Sequence, residues 1–191
     1  MSAALLLPRK QFTREEVGRL LEAGFFAGER YELIDGDLID KMGQNPPHAF
    51  VIGLVLKWLA SFIEIGRIRV QLSMEASTED RERSLPEPDF AVLVEDKLEY
   101  QRRHPRGDEL VLVVEVSDTT VAFDLSRKAV LYARAGVPEY WVLDLVRRVL
   151  VAHRQSDGNQ YKVSQMYSEH ETISMEGRSE AVKVQDLLPG S

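Results

Sequence analysis

The stretch Leu110-Val-Leu-Val-Val-Glu-Val116 constrains the fold of this chain more than any other segment. Apart from Glu115 it is apolar without alternation, so it reads as a strand buried on both faces, which requires packed layers above and below a sheet. Glu115 is the anomaly in that strand. A carboxylate at such a position needs compensation, and a bound cation is one form of it; a strand edge that reaches solvent is the plainer alternative. The length of 191 residues with 44% hydrophobic content suits a core of this kind within one domain.

Around that strand the pattern is mixed. Thr13 and Glu16 form a capping box for a short helix carrying Val17, Leu20 and Leu21, stopped by Gly24. Strands at Glu29 to Ile34 and Asp37 to Lys41 flank Asp35-Gly36, a dipeptide suited to a type I′ hairpin turn. After Pro46-Pro47, the spacing of Val51, Leu54, Val55, Trp58, Leu59, Phe62 and Ile63 predicts a long core helix ended by Gly66. Arg67 to Met74 reads as a strand, Ser77 to Pro86 as a loop, and Phe90 to Val94 as a strand opened by Pro88-Asp89. A helix from Phe123 to Ala135, ended by Gly136, separates the central strand from another at Tyr140 to Leu143, which implies a crossover and a parallel pair. Val149 to His153 and Tyr161 to Tyr167, turning at Asp157-Gly158, predict a hairpin that extends the sheet, followed by weak strands at Thr172 to Met175 and Ala181 to Val184.

Charge and composition remove several functions. With 24 basic against 31 acidic residues the net charge is −7, so no overall field draws the chain onto a polyanion, and any nucleic-acid contact is local or cation-bridged. The basic segment Lys97 to Arg106 is either such a local contact or a solvated loop. No cysteine is present, which excludes disulfides, thiolate zinc sites and cysteine nucleophiles and fits a cytoplasmic setting. The apolar run Ala3 to Leu7 lacks a preceding cation and a small-residue cleavage site, so it is not expected to be a signal peptide; Phe50 to Ile65 is too short and amphipathic to span a bilayer. His104, His153 and His170 show no metal-ligand spacing, and no phosphate-binding glycine loop, zinc-protease helix or nucleophile elbow occurs.

Asp89, directly after a proline at the start of an apolar strand, is a second candidate acid. If its strand neighbours that of Glu115, the two carboxylates converge on one site, and such oxygen ligands favour magnesium or manganese. Lys128 lies about six residues into the following helix, ~9 Å along it, which roughly matches the depth of Glu115 in its strand. From there its ammonium could serve a scissile phosphate, with Asp124 at i, i+4 to hold it. Each residue also has a plain reading: Asp89 as a turn cap, Lys128 as a solvated helix residue, Asp124 as a helix-start acid, Glu32 as an exposed strand residue, His48 as part of a loop cap.

Pro88-Asp89 together with Val114-Glu115-Val116-Ser117 resembles the PD-(D/E)XK signature of the restriction-endonuclease-like superfamily, with Ser117 standing where the motif has its lysine. The chain is similar to the Uma-type restriction-endonuclease family through Tyr31-Glu-Leu-Ile-Asp-Gly36, His48, and the block from Val113-Val-Glu-Val-Ser117 through Asp124, Lys128 and Tyr132 to Ala135-Gly-Val-Pro-Glu-Tyr-Trp141. The resemblance covers roughly residues 13–154. It implies an α/β fold of the α+β kind, a mixed central sheet flanked by helices with an N-terminal hairpin and a C-terminal β extension, in one domain over 1–191. It also implies a metal-dependent nuclease acting on DNA, with Mg2+ or Mn2+ held by Asp89, Glu115 and the main chain of Val116, Lys128 as the displaced catalytic lysine, and Glu32 as an accessory acid. A homodimer clamping DNA between two clefts is the expected assembly. The alternative from another class is a catalytically silent nucleic-acid-binding or oligomerisation module that keeps the nuclease fold.

Overall fold

In the computed structural model, which describes residues 9–41 and 45–190, helix α1 (Arg14–Glu22) starts at the predicted capping box. Thr13 Oγ1 accepts from the Glu16 amide and a Glu16 carboxylate oxygen accepts from the Thr13 amide. The run Ala3 to Leu7 lies outside the described residues. Asp35 and Gly36 join β1 (Tyr31–Ile34) to β2 (Asp37–Asp40), and both take left-handed backbones, φ 49° and 83°, as a type I′ turn requires. Gly36 is needed for space as well, since a Cβ there would lie 2.7 Å from Gln11 Cβ.

Helix α2 (Pro46–Leu59) is capped by Asn45, whose Oδ1 accepts from the His48 amide at 3.0 Å. It buries Val51, Val55 and Leu59, the predicted face, but stops at Leu59 rather than near Ile63. Strand β3 (Ile68–Val70) is shorter than the expected Arg67 to Met74, because Gln71 turns to φ 52° and leaves the ladder. The chain continues through β4 (Phe90–Leu93), β5 (Leu110–Ser117), a compound crossover helix, β6 (Glu139–Asp144), β7 (Val149–Ser156) and β8 (Tyr161–Ser168). That crossover is α3 (Val121–Phe123), a π-helical turn at Asp124–Lys128, and α4 (Ala129–Arg134); the Ala129 amide reaches back to the Asp124 carbonyl.

Strands β3 to β8 form one sheet in sequence order, with β5 and β6 parallel and every other neighbouring pair antiparallel. Strands β9 (Thr172–Ser174) and β10 (Ala181–Lys183) pair only with each other, as a separate ribbon. The period-2 alternation of β5 divides the core. Leu112, Val114 and Val116 pack toward α2 with Phe90, Val92, Trp141 and Leu143. Val113 packs on the opposite face with Ala91, Leu93, Tyr132, Tyr140 and Val142, toward α4. Glu115 follows the second set, and so does Asp89 by its spacing from Ala91 and Leu93. Glu115 thus meets the crossover helix, and Asp89, just before β4, meets the Val116 amide at the end of β5 and His48 at the head of α2.

Candidate active site

Burial alone would force Glu115 to give up its charge, and the surrounding elements supply most of the compensation. Its Oε1 accepts from Lys128 Nζ at 2.9 Å and from the Tyr132 hydroxyl at 2.7 Å, while Lys41 Nζ stands 3.9 Å from Oε2. Burial nonetheless pushes the Glu115 carboxyl above the usual carboxylate range, against the opposing charges of Lys128 and Lys41. Asp89 goes the other way. Burial works to raise it, but the His48 imidazole, the Lys41 charge and the Val116 amide hold it well below its ordinary value. Val116 N–H donates to Asp89 Oδ2 at 2.8 Å, Gln71 Nε2 donates to Oδ1 at 3.2 Å, and His48 Nε2 is 3.3 Å from Oδ2.

Lys128 sits where the π-helical turn meets α4, and its ammonium is buried among carboxylates: Glu32 Oε1 at 2.7 Å, Glu115 Oε1 at 2.9 Å and Asp124 Oδ1 at 3.7 Å. Burial opposes its charge, yet those three acids hold the lysine well above its ordinary pKa. Asp124 in turn accepts from the hydroxyls of Ser117, at 2.7 Å, and Thr120, at 2.6 Å. Ser117 thus orients an acid. Glu32 is 2% exposed, and its second oxygen accepts from the Glu87 amide at 3.2 Å. The structure brings Glu32, His48, Asp89, Glu115, Val116, Asp124 and Lys128 to the wall of one cavity of about 200 Å³, with Ser117 behind Asp124.

Four buried carboxylates, from Glu32, Asp89, Glu115 and Asp124, face two ammonium groups, Lys41 and Lys128. Asp40 and Asp118 add two less buried acids to the lining, so carboxylates outnumber ammonium groups around the cavity and a cation would offset the excess. In an extended strand the N–H and C=O of one residue project to the same edge, so the Val116 carbonyl points to the side on which its amide meets Asp89. Among the described residues no three His, Asp or Glu side chains form a ready metal cluster. A cation here would rest on two carboxylates, a carbonyl and water, a donor set that suits magnesium or manganese.

The family model described as "Uma2: Putative restriction endonuclease" matches residues 14–182. The chain belongs to the Uma2 family. This Uma2 chain also has the fold of a solved structure, that of a putative nuclease belonging to DUF820 from Anabaena variabilis ATCC 29413, with a TM-score of 0.69 at 12% identity over 92% of this chain and 97% of that one. No curated protein matches it. Both findings agree with a mixed six-stranded sheet flanked by helices and with a nuclease-like fold for this Uma2 member.

Two residues of the Uma2 site, Lys41 and Gln71, escape a reading of the sequence as motifs, and a third, Tyr132, stands in the family block without a role assigned to it. Lys41 ends the hairpin, where its amide donates to the Arg30 carbonyl and the register continues past Glu32↔Ile39. Two-residue alternation puts Glu32, Ile39 and Lys41 on one face, so the hairpin register alone could have found it. The role of Tyr132, a donor to Glu115, could have been inferred from its place at i, i+4 from Lys128. Gln71 could not, because its reach to Asp89 depends on a left-handed backbone at a position that reads as strand. The basic segment Lys97 to Arg106 stays largely exposed, but two of its cations pair with Glu109, which accepts from Lys97 and, at both oxygens, from Arg103.

Proposed function

We propose that this chain is a divalent-cation-dependent nuclease that hydrolyses DNA phosphodiesters, working as a single cytoplasmic domain and as a homodimer. The observation that carries the reading is the convergence of Asp89, immediately before β4, and Glu115, on the adjacent antiparallel β5, on the cavity that also holds Lys128. Asp89, Glu115 and the Val116 carbonyl would hold Mg2+ or Mn2+, which supplies Lewis-acid stabilisation of a phosphate oxygen and eases deprotonation of water. The protein's own groups do the rest. Asp89, kept ionised by its partners, is a permanent anion at the site. Tyr132 and Lys128 fix the rotamer of Glu115, and Glu32 and Asp124 fix Lys128. Lys41 and Lys128 bring two ammonium groups to the cavity, and that positive charge offsets the negative charge gathering on the non-bridging phosphate oxygens. Water adds to phosphorus, the P–O3′ bond breaks, and the 3′ oxygen leaves with a proton, giving a 5′-phosphate.

The test is cleavage of labelled DNA with and without Mg2+ or Mn2+, alongside calorimetric titration of Mn2+. Asp89→Ala and Glu115→Ala are expected to lose both cation binding and stimulated cleavage while keeping native circular dichroism. A silent module retaining the fold is the second reading. It draws on Glu115 having Lys128 and Tyr132 as partners without any cation, and it predicts no Mn2+ binding by the parent protein at any accessible concentration.

A further inference from the structure

Lys41 and Lys128 are the only Lys or Arg side chains among the described residues lining the cavity, and they are held in different ways. Lys128 is 3% exposed at its side chain and spends its charge on carboxylates, with a hydrogen bond to Glu115 at 2.9 Å, an ion pair with Glu32 at 2.7 Å and a third acid at 3.7 Å. Those acids are positioned by further donors, Tyr132 on Glu115, the Glu87 amide on Glu32, and Ser117 and Thr120 on Asp124. Moving the Lys128 ammonium onto a ligand would leave three buried carboxylates without their cation. Lys41 faces acids of the same cluster but is held by them less tightly. Its side chain is 14% exposed, its ion-pair distance to Glu115 Oε2 is 3.9 Å, beyond hydrogen-bond range, and it sits at the end of a hairpin strand rather than inside a helix.

A phosphodiester entering this cavity meets four buried carboxylates and needs a positive group that can turn toward it. We infer that Lys41 is the residue that binds the scissile phosphate, and that Lys128 is a positioning residue that holds Glu32, Glu115 and Asp124 in place. The inference rests on the nuclease reading above and divides its positive charge between two lysines. Lys41 offers an ammonium with three donors, none of them in a side-chain hydrogen bond among the described residues, to the non-bridging phosphate oxygens, and its hairpin carries Glu32 on the same face, so both groups are set by one register.

Two roles for Lys41 make opposite predictions. If it only balances Asp89 and Glu115, replacing it leaves phosphate affinity unchanged, and Mn2+ binds more tightly because a like charge is gone. If it binds phosphate, Lys41→Met weakens inorganic phosphate binding to the Mn2+-saturated protein by at least ~10-fold, although Mn2+ affinity is equal or higher. Turnover on duplex DNA should fall by about 10²-fold in kcat, and Lys41→Arg should recover most of both losses. Should Lys41→Met fail to fold, as read by circular dichroism, Lys41→Gln carries the same comparison. Unchanged phosphate affinity, or kcat within two-fold of the parent while Glu115→Ala is inactive, overturns the assignment and leaves the nuclease reading standing. Equal DNA turnover by the parent and Glu115→Ala removes the nuclease reading, and the inference with it.

Discussion

Replacing Lys128 by Met tests the electrostatics of the cluster directly. The ammonium is within hydrogen-bonding distance of Glu32 and Glu115, at 2.7 and 2.9 Å, and has Asp124 at 3.7 Å, all at positions no more than 3% exposed. At an effective dielectric constant of about 20, each of the two short contacts is worth roughly 6 kcal/mol before desolvation is subtracted. Removing one partner of a buried pair nets a loss of about 3–5 kcal/mol, and a Met of similar length recovers some packing, so ~4 kcal/mol is expected at pH 8. Burial already holds Glu115 above the usual carboxylate range, and loss of the nearest cation raises it further. The folded variant then keeps a proton that the unfolded chain has released, so its stability is highest at low pH and declines as pH rises from the unfolded carboxylate value toward the raised one. The deficit relative to the parent should shrink by at least ~1 kcal/mol between pH 8 and pH 5. Urea unfolding in a chelating buffer reports this through Trp58 and Trp141, stacked with centroids 5.5 Å apart. A loss below ~1 kcal/mol at pH 8, or one that does not change with pH, would refute the reasoning.

Other consequences are more local. Gly107→Ala would place a Cβ 2.2 Å from the carbonyl oxygen of Ala135, the C-cap of α4 and a backbone atom that cannot rotate away, so a loss of ~3 kcal/mol or failure to fold is expected in thermal denaturation. Glu109 is held down to about pKa 2, chiefly by Arg103, so its contribution is present above the unfolded value and is lost as pH falls through the folded one. Glu109→Gln should cost ~1–2 kcal/mol at pH 7 and flatten the acid limb of stability between pH 4.5 and pH 2; an unaltered acid limb would contradict the assignment.

Much of this molecule follows from short-range pattern. The apolar continuity of Leu110 to Val116 makes a central strand because only a doubly covered strand can hide it. Thr13 with Glu16, and Asp35 with Gly36, make a helix start and a type I′ turn because the groups that satisfy each backbone lie within a few residues. The parallel pairing of β5 with β6 follows from the helix between them. Asp89 and Glu115 can be singled out for the same kind of reason, as acids in segments that should contain none.

What pattern leaves open is what each acid meets. Glu32 alternates like an exposed strand residue yet is 2% exposed, because β1 packs where the helix carrying Lys128 crosses, a contact between residues 96 positions apart. Gln71 reaches Asp89 only because its backbone leaves the strand. The charge of Glu115 is compensated from the hairpin and the crossover helix together, by Lys41, Lys128 and Tyr132. Whether a buried carboxylate keeps its charge depends on dielectric and distance, and both are properties of the packed assembly rather than of any one segment.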